Sequence, residues 1–145
     1  MDGRVDVFVL DKRYGQYKKT VGLIGKKVIS YLKKNNSVIQ VYLVPGRLMR
    51  SINKRFLGKD RDTNILSFDE DGSPDFFDFG ELTKKGGKIA GEIYLSPGYI
   101  SKHKEDVSHL LIHGILHLFG YDHRAKGDTI KMENLENHIK KALHL

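Results

Sequence analysis

The 145-residue chain contains no cysteine, so it can form neither a disulfide nor the thiolate clusters that close most structural zinc sites. It also lacks any run of about 18 apolar residues, the minimum for a membrane-spanning helix. Its first residues, Met1 to Val5, lack the apolar core of a secretory signal. These absences predict a cytoplasmic protein, in a reducing compartment and without membrane attachment.

Acidic residues are too few to balance the basic ones. The chain has 25 lysines and arginines against 18 aspartates and glutamates, which gives a net charge of +7. A basic protein favours polyanionic partners, of which RNA and the ribosome are the obvious class. Fourteen of the basic residues lie in two stretches: Lys12, Arg13, Lys18, Lys19, Lys26, Lys27, Lys33 and Lys34, then Arg47, Arg50, Lys54, Arg55, Lys59 and Arg61. Most of these side chains are expected to be solvated, but the second stretch leads directly into a predicted strand, where we expect phosphate contacts.

Hydrophobic periodicity predicts one domain, residues 1–145, of the α+β class. Period-two patterns and β-branched runs predict strands at 5–10, 37–44, 63–68 and 88–95. Spacings of three and four predict helices at 14–34, 46–55, 97–104 and 106–119, and a last helix from 127 or 128 to 143. This order indicates one mixed sheet with helices packed against it. Apolar residues surround the histidines of the fourth helix, so that helix is expected to be central and buried.

Three histidines follow one another at metal-ligand spacing. His113 and His117 are four residues apart, which places them on the same face of a helix. Gly120 favours the left-handed conformation that ends helices, so the chain can fold back and bring His123 to the same point. Three imidazoles suit zinc and leave its fourth position for water, which is the catalytic pattern. We therefore predict one Zn²⁺ ion per chain, with catalysis through its bound water, although nickel, iron and copper also accept imidazole.

Two further residues lie beside these ligands. His109 extends the helical stripe to i, i+4 and i+8, but the outer members are about 12 Å apart along the axis, too far to share one ion. We expect His109 to support the ligands or to pack between helices. Asp122 either accepts a ring N–H from a ligand or is an ordinary turn aspartate.

The motif differs from the HExxH signature of metallopeptidases at one position. The residue after the first histidine in HExxH is a glutamate that acts as general base, and here it is Gly114. This difference argues against a protease. Glycine inside a helix costs about 1 kcal/mol relative to alanine, so we expect close backbone packing or substrate approach at this position.

Four segments of the chain resemble the YbeY family, bacterial single-domain metal-dependent endoribonucleases linked to ribosomal RNA maturation. Residues 113–123 match HGxLHLxGYDH at every specified position, and residues 53–68 are similar to N-x-x-[YF]-R-x-K-D-x-x-T-[DN]-V-L-S-F. Weaker similarities are residues 91–96, to the strand G-[DE]-I-x-I-S, and residues 132–136, to the family's final helix. The resemblance covers the chain from about residue 50 to its end. It implies a zincin-like domain of four strands and about five helices, with the metal in a cleft beside the sheet.

One departure from the family concerns substrate binding. The family usually has an arginine after the aromatic residue of the second segment, and this chain has Leu57 there. Leucine can neither neutralise nor hydrogen-bond a phosphate. We expect Arg55, Lys59 or Arg61 to supply the positive charge from nearby.

The resemblance implies a zinc-dependent endoribonuclease for single-stranded RNA. It would act in ribosomal RNA maturation, including the 3′ end of 16S rRNA, and in ribosome quality control. Its partners would be ribosomal RNA and the small ribosomal subunit. Two alternatives stay open: a metallopeptidase-like hydrolase, by fold analogy alone, and a non-catalytic zinc-containing protein that binds ribosomes, which Leu57 favours.

Overall fold

A computed structural model describes residues 3–69, 88–121 and 126–145. The strands are β1 (Arg4–Val9), β2 (Ser37–Leu43), β3 (Ile65–Asp69) and β4 (Lys88–Leu95). The α-helices are α1 (Lys18–Tyr31), α2 (Gly46–Leu57), α3 (Pro97–Lys102), α4 (Val107–Leu118) and α5 (Lys126–Ala142). A 3₁₀ helix, Lys12–Tyr17, precedes α1. The predicted α+β architecture, with four strands and five α-helices, is confirmed. Along the three described ranges, no helix combines the length and apolar character needed to cross a membrane.

The four strands form one mixed sheet in the order β1-β2-β4-β3. β1 pairs with β2 and β2 with β4 in parallel, whereas β3 runs antiparallel to β4. The two central strands are largely buried because helices cover both of their faces. β1 and β3 are therefore the two edges of the sheet in the described part of the chain.

Helices on the two faces of the sheet build two separate cores. On one face α1 and α4 pack against the sheet and α5 packs on α4, with Ile39, Ile93 and Ile115 fully buried in this core. On the other face α2 packs through Met49 and Ile52. The histidine helix α4 is central and largely buried, as predicted. The basic helix α2 lies on the opposite face from it.

The long helix predicted from residue 14 to residue 34 is wrong at both ends. The chain first forms the 3₁₀ helix, because the Asp11 carboxylate accepts the backbone N–H of Arg13 at 2.9 Å and caps it there. α1 then ends at Tyr31, since Lys33 takes a left-handed φ of 57° and the Lys34 N–H bonds back to the Ile29 carbonyl.

Strand β3 begins two residues later than the predicted start at Thr63. The Thr63 backbone N–H bonds to the Asp62 side chain at 2.8 Å, and the Ile65 N–H bonds to the Asn64 side chain at 2.7 Å. Such local side-chain bonds compete with the ladder and favour a turn. The loop between α2 and β3 therefore lies two residues later than the sequence pattern indicates, at residues 58–64.

Candidate metal centre

Both ends of α4 are fixed by local hydrogen bonds. At its start the Asp106 carboxylate accepts the backbone N–H of Ser108 at 3.0 Å and also pairs with Lys140 of α5. At its end Gly120 takes a left-handed φ of 85°, and the Tyr121 N–H bonds to the Leu116 carbonyl at 3.0 Å. This confirms the prediction that Gly120 ends the histidine helix and turns the chain.

The two helical histidines of the motif lie at the surface of a largely buried helix. His117 is exposed and the His113 side chain is 37% exposed, whereas Ile112 and Leu116 are fully buried. Four residues along α4 correspond to about 6 Å of rise, so the two imidazoles lie one turn apart on one face. This face is accessible to solvent.

The His113 ring is held from behind by a buried glutamate of α5. Its Nδ1 lies 2.6 Å from Oε1 of Glu136, and Glu136 is only 4% exposed. A carboxylate can only accept, so the Nδ1–H of His113 donates this bond, and in the neutral ring Nε2 then carries the lone pair. Carboxylates hold metal-binding histidines in this way, fixing the tautomer and the direction of the ring.

Glu136 was missed by the sequence analysis, which noted it only within the segment similar to the family's final helix. Its spacing from two buried apolar residues, Met132 and Ile139, is four and three residues. An acid on the apolar face of a helix needs a partner, because an unpaired buried charge is costly. That spacing was the signal that could have identified it.

The same carboxylate contacts His109. Oε2 of Glu136 lies 3.5 Å from Nε2 of His109, whose side chain is 47% exposed. His109 thus lies one turn before His113 and contacts the same side chain of α5. His109 therefore lies between α4 and α5 and contacts one carboxylate oxygen of Glu136, while His113 contacts the other.

Gly114 lies where α4 packs closely on β3. A Cβ atom at this position would lie 2.8 Å from Oγ of Ser67 and 2.9 Å from Cδ1 of Ile65. Of the two explanations offered for the glycine, close packing is therefore the one that the structure supports. Position 114 faces the sheet, so a glutamate there could not reach the solvent-exposed side of the helix without displacing β3.

His123 and Asp122 lie outside the described residues. Within the ranges that the structure describes, no three histidine, cysteine, aspartate or glutamate side chains come together as a metal site. The three-histidine ligand set therefore stays a prediction. The chemistry of the described donors fits zinc, since two imidazoles share one helix face and a buried carboxylate holds the ring of His113.

The predicted phosphate-binding residues lie on the loop that joins α2 to β3. Lys59 and Arg61 are exposed. The loop is tied to α2 by buried Asn53, whose side-chain amide donates to the Arg61 carbonyl at 2.9 Å. Neither Lys59 nor Arg61 forms an ion pair with another described residue, whereas Arg50 pairs with Asp60 at 2.7 Å and lowers the pKa of that carboxyl. Both loop cations are therefore available to a phosphate.

Arg55 and Leu57 lie at the C-terminal end of α2. The Arg55 guanidinium lies 5.6 Å from the centroid of the Phe56 ring, and the Leu57 side chain is 51% exposed. The loop then enters β3, where Ile65 meets α4. Arg61 is four residues from Ile65, at most about 14 Å of extended chain. The basic loop and the histidine helix thus approach the same edge of the sheet from opposite faces.

Comparisons with known proteins identify the family of this chain. The family model described as Endoribonuclease YbeY matches residues 11–144. A protein named Endoribonuclease YbeY from Buchnera aphidicola subsp. Schizaphis graminum is 36% identical over 122 residues, covering 79% of this chain and 71% of its own. One of the same name from Sulfurihydrogenibium sp. is 33% identical over 123 residues, covering 79% and 75%. A solution structure of a Thermotoga maritima protein shares the fold with a TM-score of 0.53 at 20% identity, over 97% of this chain and 91% of that one. The chain therefore belongs to the Endoribonuclease YbeY family.

Proposed function

We propose that this protein is a zinc-dependent endoribonuclease that cleaves single-stranded ribosomal RNA during maturation of the small ribosomal subunit. Membership of the Endoribonuclease YbeY family supports the reaction class. The observation that carries the metal part of the proposal is the bond between His113 and buried Glu136. A solvent-facing imidazole held by a buried carboxylate is typical of a metal ligand.

In this proposal His113, His117 and His123 hold the ion. When bound, zinc supplies a water of lowered pKa and stabilises negative charge on the phosphate. Glu136 keeps the Nδ1 proton on His113, so that Nε2 of this ring faces outward. The apolar face of α4 anchors the helix in the core, and this fixes the spacing of His113 and His117.

The basic loop provides the second half of the site. Lys59 and Arg61, which lack ion-pair partners among the described residues, would neutralise phosphates of the RNA strand and position it across the edge of the sheet at β3. Arg55, which lies against Phe56, adds a third positive charge. The loss of the family's arginine at Leu57 predicts weaker binding of substrate, with the metal ligands unaffected.

The metallopeptidase alternative is disfavoured by the position of Gly114. The residue after the first histidine faces Ser67 and Ile65 of β3, so the general base of HExxH chemistry has no place there. The alternative of a non-catalytic ribosome-binding protein is favoured only by Leu57. This alternative and the proposal predict different results for RNA cleavage. Under the alternative, RNA stays intact in the presence of fully zinc-loaded protein.

The test measures metal content and RNA cleavage on the same preparations. Wild type, His117→Ala and the control His144→Ala, which removes an exposed histidine near the C-terminus, are purified identically and analysed for zinc. Each is then incubated with a single-stranded ribosomal RNA precursor, with and without a chelator. We expect His117→Ala to lose zinc and cleavage together, while His144→Ala keeps both.

Two results contradict the proposal. Cleavage by His117→Ala at the wild-type rate means that the activity does not depend on this histidine. Intact RNA with zinc-loaded wild type, together with normal binding to small subunits, supports the non-catalytic alternative.

A further inference from the structure

An open groove lies on the opposite edge of the sheet from the candidate metal centre, between β1 and α1. Its volume is about 630 Å³. Its floor is apolar and includes Val5 and Val7 of β1 and Leu23 of α1, which is 52% exposed. Gly15 and Gly22 leave the groove open, because neither has a side chain to fill it. The groove thus presents a small apolar floor beside an edge strand.

The backbone of β1 is available along this groove. The Leu10 N–H bonds to the Leu43 carbonyl, so the parallel ladder with β2 uses the even-numbered residues of β1. The N–H and C=O groups of Val5, Val7 and Val9 consequently point away from β2. None of them has a hydrogen-bond partner among the residues that the structure describes. β1 thus offers a row of donors and acceptors to an added strand.

The rim of the groove is uniformly basic. Among the described residues that line it, Lys18, Lys19, Lys26 and Arg4 are charged, and no acid is present. Arg4 pairs with Asp6, but the three lysines form no ion pair with any other described residue. Residues 12–34 contain eight lysines and arginines and no acid at all. A ligand in this groove therefore meets three uncompensated positive charges.

We propose that this groove binds an extended acidic peptide segment of a partner protein, which adds to β1 as a further strand. Backbone hydrogen bonds to Val5, Val7 and Val9 supply the affinity, while apolar side chains of the peptide lie over Leu23. The lysines select for carboxylates at the flanking positions. This inference is independent of the endoribonuclease proposal, because it uses the other edge of the sheet.

Two other occupants fit these features less well. An RNA strand would contact the lysines through phosphates, but it would use neither the strand edge nor the apolar floor. A second copy of this chain, pairing β1 with β1, would bring two identical sets of lysines together, which like-charge repulsion opposes. Charge complementarity and the strand edge together favour the acidic peptide.

The test uses a fluorescein-labelled peptide that alternates glutamate and valine, with a lysine–valine peptide as the control for charge. Fluorescence anisotropy measures binding of each peptide, and of a labelled oligouridine, to wild type and to Val7→Pro. Proline removes the outward N–H of Val7, and edge strands accept it at such positions. Val7→Ala is the matched control, because it shortens the side chain and keeps the N–H.

We expect the acidic peptide to bind wild type, the lysine peptide not to bind, and Val7→Pro to weaken the acidic peptide about tenfold or more. Val7→Ala should remain within about threefold of wild type. Should Val7→Pro fail to fold, Gly22→Leu tests the same groove from the helix side. A Cβ at Gly22 meets only an ordinary contact with Val7 at 3.7 Å, and a longer side chain there extends into the groove from α1.

Three outcomes overturn the proposal. If the acidic peptide binds Val7→Pro or Gly22→Leu as tightly as it binds wild type, strand addition in the groove is ruled out. If oligouridine displaces the peptide from wild type and binds Gly22→Leu more weakly, the occupant of the groove is RNA. Dimerisation of wild type in sedimentation, abolished by Val7→Pro, identifies a second copy of the chain.

Discussion

Gly114 of the histidine helix lies so close to Ser67 of β3 that a Cβ atom at position 114 would be 2.8 Å from the Ser67 hydroxyl oxygen. Gly22 offers the matched comparison, since it also lies inside a helix and a Cβ there meets only ordinary contact at 3.7 Å. Alanine gains about 1 kcal/mol of helix propensity at either position. The difference between the two variants therefore reports the packing against β3.

We expect Gly114→Ala to be less stable than Gly22→Ala by about 1–3 kcal/mol, the typical cost of overpacking a well-packed site. Gly22→Ala should be as stable as wild type or more stable. Urea unfolding followed by circular dichroism measures both. Equal urea midpoints for the two variants would show that β3 shifts at no cost in stability and that Gly114 is not needed for packing.

Replacing Glu136 should weaken metal binding without removing a ligand. Glu136→Gln removes the negative charge behind His113, and loss of such a carboxylate typically lowers metal affinity about 10–100-fold. Glu133→Gln, on an exposed position of the same helix, is the control and should bind zinc as wild type does. Competition with a chromophoric chelator measures both affinities. Unchanged zinc affinity in Glu136→Gln would mean that Glu136 does not support His113 as a ligand of the ion.

Restoring the family's arginine should improve substrate binding. Leu57 is 51% exposed, so Leu57→Arg can extend into solvent without disturbing the core. A hydrogen bond to a charged group contributes about 1.5–3 kcal/mol, so kcat/KM for RNA cleavage should rise on the order of tenfold. Leu57→Gln, of similar length and uncharged, should change little. An arginine variant no better than the glutamine variant would show that position 57 does not reach the RNA in this chain.

The salt dependence of RNA binding should identify the phosphate contacts. Each contact with a single strand adds about 0.7 to the slope of log K against log salt concentration. Lys59→Gln and Arg61→Gln should each reduce that slope by about this amount. Lys141→Gln, an exposed residue at the end of α5, should leave it unchanged. If all three variants lower the slope equally, binding depends on overall charge and not on the loop between α2 and β3.

The contact of Asp106 with Lys140 should make stability depend on pH. Lys140 lowers the pKa of the Asp106 carboxyl, which also caps α4. The pKa of Asp106 is lower in the folded state than in the unfolded state, where it is about 3.9. The charge of Asp106 therefore stabilises the fold fully above the unfolded pKa, and this stabilisation is lost as the pH falls through the folded pKa. Asp106→Ala should therefore cost about 1 kcal/mol at pH 7, the usual cost of losing a cap.

Thermal unfolding of wild type and Asp106→Ala across a pH series measures this effect. The difference in melting temperature should be constant from neutral pH down to about 5 and should shrink below about 4. Lys140→Met removes the ion pair but keeps the cap. Its melting temperature should therefore differ from that of wild type by less than the melting temperature of Asp106→Ala does. A difference that persists at low pH would mean that Asp106 acts through packing and not through its charge.

Local patterns in the sequence were sufficient for the parts of this fold that depend on neighbouring residues. The four-residue spacing of His113 and His117 determined their shared face, because helix geometry is the same wherever a helix forms. Gly120 determined the end of that helix, since the left-handed conformation it takes is open chiefly to glycine. The start of α1 was predicted wrongly because the bond between Asp11 and Arg13 competes with a regular helix, and periodicity does not report such bonds.

Contacts between residues far apart in the sequence were decided only by the tertiary structure. Glu136 reaches His113 because α5 packs beside α4, and no periodicity within either helix states which helices will pack together. In the same way, the reason for Gly114 became visible only with β3 against it. β3 joins β4 antiparallel and thereby brings Ile65 and Ser67 against α4, a pairing that periodicity within either strand does not state. Spacing along the chain thus determined which residues share a face, and the packing of the elements decided what that face meets.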